Sequence, residues 1–483
     1  MRCLVPRGPA RPLFLLLGLL PGLLLGGCAW LTPAATSSGI ALPDRLRHAA
    51  AAPADWPNPE WWRGFGAPEL DALMQQAVAA NYNIAIAIAR IRQADAQVRI
   101  SGAALLPLVN LVGQSVRQQS GSTTSASIAG LTARSTRVRV SSSNAVNLQA
   151  SYEIDFWGKN RAVLEQAQQT AAANRFDLGA VALTTEASVA NTYFALLAAQ
   201  AQLAIQRSNL QIAEHVLGVI RNRQAVGTAT GLDFAQQATV VAQQRALIPP
   251  LIQSAEQNRD ALAVLVARPP ESITVAGGGF DAIDVPPVAA GLPAEVLARR
   301  PDVLFAEANL AAANANVVVA RAQLLPSITL TGSGGFSSLA LETLLRPSSQ
   351  IFTLTAGLVQ PIFHGGQLRG QIELSEAQAE ELLATYRLSI VSALQDVEDA
   401  LVALRQTTEQ EQLQAEAVRS AERANAIAEA QLSAGTIDLI TLLNTQQTLF
   451  NARNTLVTVR LNRLQAAVGL FRALGGGWGD VPA

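Results

Sequence analysis

Two long stretches free of proline decide what this chain can fold into. Gly158 to Gly227 contains no proline, and its only interior glycines are Gly179 and Gly218. An uninterrupted helix of roughly 68 residues is on the order of 100 Å long, more than a soluble domain buries. Apolar residues recur along it in alternating steps of four and three, at Leu183, Ala187, Ala190, Phe194, Leu197, Ala201 and Ala204. That spacing makes a seam for a neighbouring helix, and its small residues allow close approach. Gly366 to Gly435 repeats the pattern, again without proline, along Leu383, Tyr386, Ile390, Ala393, Val397, Ala400 and Leu404. Two such stretches of nearly equal length imply one duplicated unit.

The duplication holds residue by residue. Setting Leu106-Pro107 over Leu325-Pro326 aligns positions 84–113 with 303–332 without a gap, and eleven of those 30 pairs are identical. Gly227-Thr228 likewise matches Gly435-Thr436. Each half reads as a shorter helix, a strand pair, a long helix, a turn at Gly-Thr and a returning helix. The expected segments are helix 69–106, strand pair 107–157, helical hairpin 158–268, linker 269–293, helix 294–324, strand pair 325–363, helical hairpin 364–474 and tail 475–483. Ile84, Ile86 and Ile88 alternate as a strand does, but the Ala-rich pattern runs about 36 residues and its length favours helix. A kink is expected at Pro249-Pro250. The returning helix 232–267 and helix 294–324 together match the outbound helix, so they are expected to stack as one broken return path. The last helix, 437–474, is then expected to pair with the first, 69–106, closing the unit into a ring.

Val146 to Phe156 is the clearest strand. Val146, Leu148, Ala150, Tyr152, Ile154 and Phe156 share one face, and Asn147, Gln149, Ser151, Glu153 and Asp155 the other. A strand of about 11 residues with one apolar face suits a transmembrane β-barrel, apolar toward lipid and polar toward a lumen. A soluble antiparallel sheet has the same alternation. Val109 to Val116 is the expected partner strand, with the Ser/Thr-rich 118–143 as the external loop, which can also contain part of the strands. A second pair is Ser327 to Phe336 with Phe352 to Pro361. Four strands cannot close a membrane barrel, and open edges are not tolerated in lipid. Several identical chains are required, and three would supply twelve strands.

The amino terminus addresses the chain. Arg2, Arg7 and Arg11 precede the apolar run Leu13 to Leu25, which is too short to span a bilayer. Residues 1–27 are read as a signal peptide. Leu25-Gly26-Gly27-Cys28 resembles a bacterial lipobox, which implies cleavage before Cys28 and a lipid on that cysteine. The alternative is an ordinary signal peptide beside a buried cysteine. Ala29, in place of Asp, favours outer-membrane sorting by resemblance to bacterial lipoproteins. Residues 28–68, rich in Ala and Pro, are read as a lipid-anchored strap. Cleavage removes Cys3, leaving no partner for an internal disulfide. It also takes the formal charge from −1 to about −4, which is too weak to suggest nucleic acid.

Four segments carry a family resemblance: Leu297-Ala298-Arg299-Arg300-Pro301-Asp302-Val303, Leu325-Pro326-Ser327-Ile328-Thr329-Leu330-Thr331-Gly332, Tyr152-Glu153-Ile154-Asp155-Phe156-Trp157-Gly158 and Ala261-Leu262-Ala263-Val264-Leu265. With the lipobox they resemble the outer-membrane factors, and within them the NodT-type efflux lipoproteins related to TolC and OprM. The resemblance implies a mixed α and β membrane protein. Its homotrimer would form a twelve-stranded barrel in outer-membrane lipid, continuous with a long α-helical periplasmic barrel. The implied task is passive export of drugs or other small molecules. Power would come from an inner-membrane pump, usually of the resistance–nodulation–division class, through a periplasmic adaptor.

The same resemblance places the entrance at the tips Gly227-Thr228 and Gly435-Thr436. In TolC-like members, acidic residues near both tips constrict it and select cations. Asp233 fits the first-half position, though an ordinary first-turn aspartate also fits. The second-half positions hold uncharged Thr441 and Asn444. Arg223, Arg423, Glu422 and Asp438 are candidates for pairing across the hairpins. No enzyme, cofactor or metal is expected: His48, His215 and His364 are scattered, and Gly158-Lys159-Asn160 lacks the rest of a phosphate loop. Two other readings stay open. One is a duct for type I protein secretion. The other is a structural coiled-coil lipoprotein, which predicts no membrane strands.

Overall fold

The computed structural model describes residues 37–48, 58–128, 131–277, 279–287 and 293–476. The signal segment, Cys28, most of the strap and the end of the tail lie outside the described residues, as do 129–130 and 288–292.

In chain order the main elements are α1 (Pro68–Ala80), α2 (Tyr82–Ala103), β1 (Leu108–Ile128), β2 (Leu131–Ile154), α3 (Lys159–Ala225), α4 (Gly231–Ala246), α5 (Ile248–Leu265), α6 (Pro293–Arg299), α7 (Pro301–Ala322), β3 (Ser327–Ser338), β4 (Gln350–Val359), α8 (Gln367–Ser433) and α9 (Leu439–Ala473). The long helices α3 and α8 have 67 residues each. Their seams are buried as the periodicity requires: Ala190, Phe194, Ala393 and Val397 are fully enclosed.

Gly227 and Gly435 stand 208 positions apart, and at that spacing α4 plus α5 cover the positions of α9. The break at Leu247 falls two residues before Pro249. Proline lacks the N–H that an interior helical turn needs, so the two prolines start α5 instead. The corresponding residues of α9 are Val457 and Thr458, and α9 runs on for 35 residues.

The helices expected at 69–106 and 294–324 are each broken, at Asn81 and Arg300. Those two positions correspond in the register that places Leu106-Pro107 over Leu325-Pro326. Asn81 Oδ1 accepts from the backbone N–H of Asn83 at 2.8 Å and so caps α2. Its Nδ2 donates to the carbonyl of Leu265, the last residue of α5, at 2.8 Å. Arg300 precedes Pro301, which disfavours a helical conformation there. The buried guanidinium of Arg300 donates to the carbonyl of Ala473, the last residue of α9, at 3.2 Å, and to that of Ala393 at 3.4 Å. It also pairs with Asp302 at 2.6 Å and Asp396 at 2.9 Å.

The return path is corrected accordingly. α5 meets α2, and α9 meets α7, so each repeat closes on its own shorter helix rather than on the other repeat's. The last carbonyls of a helix need donors, and the side chain at the break of the same repeat supplies one.

The described residues form two compact units, and four helices contribute to both. The first comprises 93–171 and 308–383. It holds one antiparallel sheet in the order β1-β2-β3-β4. Ala162 of α3 packs on Val318 and Val319 of α7, and Arg321 of α7 bridges to Glu376 of α8 at 2.8 Å. Within 118–143 the strands run further than the loop reading expects, through 118–128 and 131–143. β1 and β2 pair without interruption from Leu108↔Ser151 to Ile128↔Leu131. Ser and Thr hydroxyls suit water, but Thr also suits a pleated backbone, and cross-strand pairing decides.

The second unit comprises 38–92, 172–307 and the chain from 384 onward. In its core, α1, α3, α5 and α9 meet around Phe194, Leu197, Leu262, Leu464 and Phe471. The end of the strap enters that core. Trp61 stacks on Phe471 at 5.0 Å, and Phe65, fully buried, lies 5.1 Å from Phe194. The linker adds Ile273, Val275, Phe280 and Ile283. Upstream, Leu46 is buried against Val397 and Leu470, and His48 donates its backbone N–H to Glu398 at 3.1 Å.

Candidate functional site

The sheet has two unlike faces. Its register sets Val109, Leu111, Leu148, Ala150, Ile328, Leu330, Leu354 and Leu358 on one face. The other carries Asn110, Gln149, Ser151, Thr331, Ser333, Thr353 and Thr355, which line a groove. Leu111 is 73% exposed and Leu354 71%, so the apolar face is covered by nothing in a single chain. β1 and β4 each keep one unpaired edge. An amphipathic sheet with free edges and an uncovered apolar face is suited to lipid only after closing with further copies.

The tips are built the same way twice. α3 ends on Gly227 at φ 77° and α8 on Gly435 at φ 74°, a conformation that favours glycine. The Thr228 N–H donates to the carbonyl of Arg223 at 2.8 Å, and the Gly227 N–H to that of Gln224 at 3.0 Å. Thr436 and Gly435 repeat these bonds to Gln431 and Leu432, both at 3.0 Å. This satisfies the last carbonyls of both outbound helices. The hydroxyls of Thr228 and Thr436 add bonds to the same Arg223 and Gln431 carbonyls.

The returning helices are capped by one threonine and one aspartate each, in opposite order. In the first tip Thr230 is the cap and Asp233 lies three residues on. The Asp233 N–H donates to the Thr230 hydroxyl at 3.2 Å, and the Thr230 N–H donates to the Asp233 carboxylate at 2.7 Å. In the second, Asp438 is the cap, accepting from the backbone N–H of Thr441 at 2.9 Å and its hydroxyl at 2.6 Å. Hydrogen bonds from Thr230 hold the Asp233 carboxyl below its ordinary pKa, and bonds from Thr441 do the same for Asp438. Asn444 is exposed one turn into α9.

Within one chain, the described residues Arg223, Arg423, Glu422 and Asp438 form no ion pair across the hairpins. Glu422 of α8 bridges to Arg453 of α9 at 2.8 Å, within its own hairpin. Arg223 contributes its carbonyl to the helix end, with its guanidinium beside Gly435. Arg423 is exposed and makes no ion pair among the described residues. The hairpins meet instead through apolar side chains: Val216 and Ile220 of α3 pack with Ala428, Leu432, Leu439 and Leu442 of the second hairpin.

Two fastenings were missed from the sequence, and both recur at the 208-residue spacing. Glu214 bridges to Arg245 at 2.7 Å, the image of Glu422 and Arg453. The side-chain amide of Gln206 donates to the carbonyl of Gln244 at 2.8 Å, and that of Gln414 to the carbonyl of Ala452 at 3.1 Å. Laying one Gly-Thr tip over the other exposes all eight residues. Glu186 breaks the repeat. Trp61 donates to it at 3.2 Å, and burial pushes its carboxyl up to about 7. Its counterpart is Leu394.

The chain matches the family model described as Outer membrane efflux protein over residues 73–268 and 292–476. It is 42% identical over 458 residues to the pyoverdine export outer membrane protein OpmQ of Pseudomonas aeruginosa, covering 94% of this chain and 95% of that one. It is 31% identical over 419 residues to the toluene efflux pump outer membrane protein TtgC of Pseudomonas putida, covering 86% and 85%. The solved structure of the outer-membrane channel OprN shares the fold, with a TM-score of 0.83 at 24% identity over 93% of this chain and 99% of that one.

Proposed function

The chain belongs to the outer membrane efflux protein family, and from that premise we propose how it serves as the outer-membrane duct of a tripartite efflux system. Three copies join edge to edge, β4 of one to β1 of the next, into a barrel of twelve strands. The observation that carries this reading is the sheet with one bare apolar face, one hydroxyl- and amide-lined face and two free edges. Closure removes the edges and turns the polar face to the lumen. The helical hairpins form the periplasmic tunnel, with both tips at its entrance, where an adaptor joins the duct to an inner-membrane pump. Cys28 carries the lipid anchor. The duct is passive and performs no chemistry.

The cargo is read as small organic molecules. OpmQ is named for pyoverdine export and TtgC for toluene efflux, whereas the type I secretion reading needs a protein cargo. The test is single-channel conductance of the purified protein in a planar bilayer, paired with two substitutions. Leu148→Arg, on the lipid face, is expected to cost about 2–4 kcal/mol near the midplane and to abolish assembled trimer, while Gln149→Arg on the lumen face assembles and alters conductance. The opposite pattern reverses the faces, and no conductance at all removes the duct.

A further inference from the structure

Inside the chain the two repeats meet along one seam, β2 against β3 and α3 against α7. Two offsets carry every residue of that seam to an image on the flanks. β4 and α8 follow β2 and α3 by 208 positions, as Gln367 follows Lys159 at the starts of the long helices. β3 and α7 follow β1 and α2 by 219 positions, as Leu325-Pro326 follows Leu106-Pro107. The flank made of β4 and α8 is therefore the image of β2 and α3, and the flank made of β1 and α2 is the image of β3 and α7.

The helical positions are covered at the seam and bare at the flanks. Ala162 of α3 packs with Val319 of α7, and Ala315 and Ala312 continue the α7 row, all buried. Gln166 and Gln169 continue the α3 row at steps of four and three. The images on α8 are Gly370, Leu374 and Ala377, all exposed. Those on α2 are Ile100 and Gln93, both exposed, with Ala96 half-buried between them. Apart from Gln93, both rows are small or apolar, which lets two helices approach closely. The strands agree. Ser151 pairs with Thr331 and Ala150 with Gly332, and the images are Val359 with Val112 and Leu358 with Gly113. A slip of one residue would set an apolar face against a polar one. The image register avoids this: Leu358 lies on the apolar face of β4, and Gly113 shares the face of Leu111 on β1.

We infer that each flank is covered by a second copy of this chain, seated in the register that already joins the two repeats. Val359 of one copy then faces Val112 of the next. Gly370, Leu374 and Ala377 of α8 face Ile100, Ala96 and Gln93 on α2 of the next copy. The inference rests on the edge-to-edge closure proposed above, and it adds which residues meet.

The test is disulfide formation in the full-length protein, extracted from outer membranes, oxidised and run on a non-reducing gel. Two double variants probe the register independently, V112C/V359C on the strands and A96C/L374C on the helices. Each has a shifted control, V112C/G357C and A96C/Q378C. Two strand positions or one helical turn displaces the partner by about 5–7 Å, beyond what a disulfide spans. The matched pairs are expected to link copies, up to a covalent trimer, about tenfold or more above the shifted controls. If one matched variant fails to assemble, the other decides. Equal or stronger linking in a shifted control overturns the register. Conductance of the same preparations separates the two readings. A conducting pore whose matched pairs stay unlinked rejects the register alone. Linked copies without a pore support the register and reject the duct, and absence of both rejects the closure beneath it.

Discussion

The two repeats share a frame and differ in how it is finished. Both have an outbound helix of 67 residues, a Gly-Thr end, a glutamine fastened to a backbone carbonyl and a Glu–Arg bridge at matching places. They differ in the break at Leu247, in the side chain closing the return path, in the order of Thr and Asp at the tip, and in the length of the strands. What recurs sets helix register. What varies sits at helix ends, at one buried carboxyl and beyond the rim of the sheet, where residues change without shifting that register.

The sharpest test of this contrast is at the closing side chains. Arg300→Ala removes a buried cation from two carboxylates and leaves the Ala473 carbonyl, at the end of α9, short of a donor. It is expected to cost about 3–5 kcal/mol. Asn81→Ala loses one cap and one donor, at about 1–2 kcal/mol. Thermal unfolding of the assembled protein measures both, and equal losses would mean that the two closures are interchangeable.

The second test moves the break. Val457→Pro places a proline in α9 where α5 has Pro249, and is expected to cost about 3 kcal/mol. Replacing Pro249 and Pro250 with Ala is expected to raise amide-exchange protection around Leu247 toward that of α9. Unchanged protection would assign the break to packing.

The tips differ less. Asp233→Ala is expected to cost about 1 kcal/mol, and Asp438→Ala to lower the melting temperature in the same direction. Both carboxyls are held below their ordinary pKa, so their stabilisation is present at neutral pH. It is lost as pH falls through the lowered values. The double exchange Thr230→Asp with Asp233→Thr converts the first tip to the order of the second and is expected to be near neutral in melting temperature. If Asp233→Ala also leaves conductance and trivalent-cation block unchanged, Asp233 is a cap alone.

A pH-dependent contrast concerns Glu186, a carboxyl where the other repeat has Leu394. Its pKa is raised to about 7 from 4.5, so ionisation opposes folding. Stability falls as pH rises through that window and is flat above it. Glu186→Leu is expected to remove the slope between pH 5 and 7, read as melting temperature across that range. An unchanged slope would place the titrating group elsewhere.

Much of this was legible in the sequence. Proline-free length and the four–three spacing gave the long helices, and the alternation at 146–154 gave the strand faces. Alignment of Leu-Pro and Gly-Thr gave the repeat. The break at Asn81 was not legible, because asparagine stops a helix only when its amide finds partners on both sides, and one of them is 184 positions away. The full length of β1 and β2 was hidden because the Ser/Thr composition of 118–143 is that of a loop, and pairing alone distinguishes the two. The return path failed on length arithmetic: helix 294–324 and helix 69–106 fit equally well, and the Leu265 and Ala473 carbonyls decide. The Glu214 and Arg245 pair was within reach, since the tip register predicts it once Glu422 and Arg453 are singled out.

The closures at Asn81 and Arg300 have a mechanical consequence. Along α3 and α8 any axial strain passes through covalent backbone. Along the returning columns it must cross a joint where one helix stops and another begins, held only by side chains. A joint of that kind bends before a continuous rod does. The two joints are unequally stiff, one a neutral amide and the other a guanidinium gripped by two carboxylates. Under an equal twist, the first repeat's joint is expected to yield before the second's.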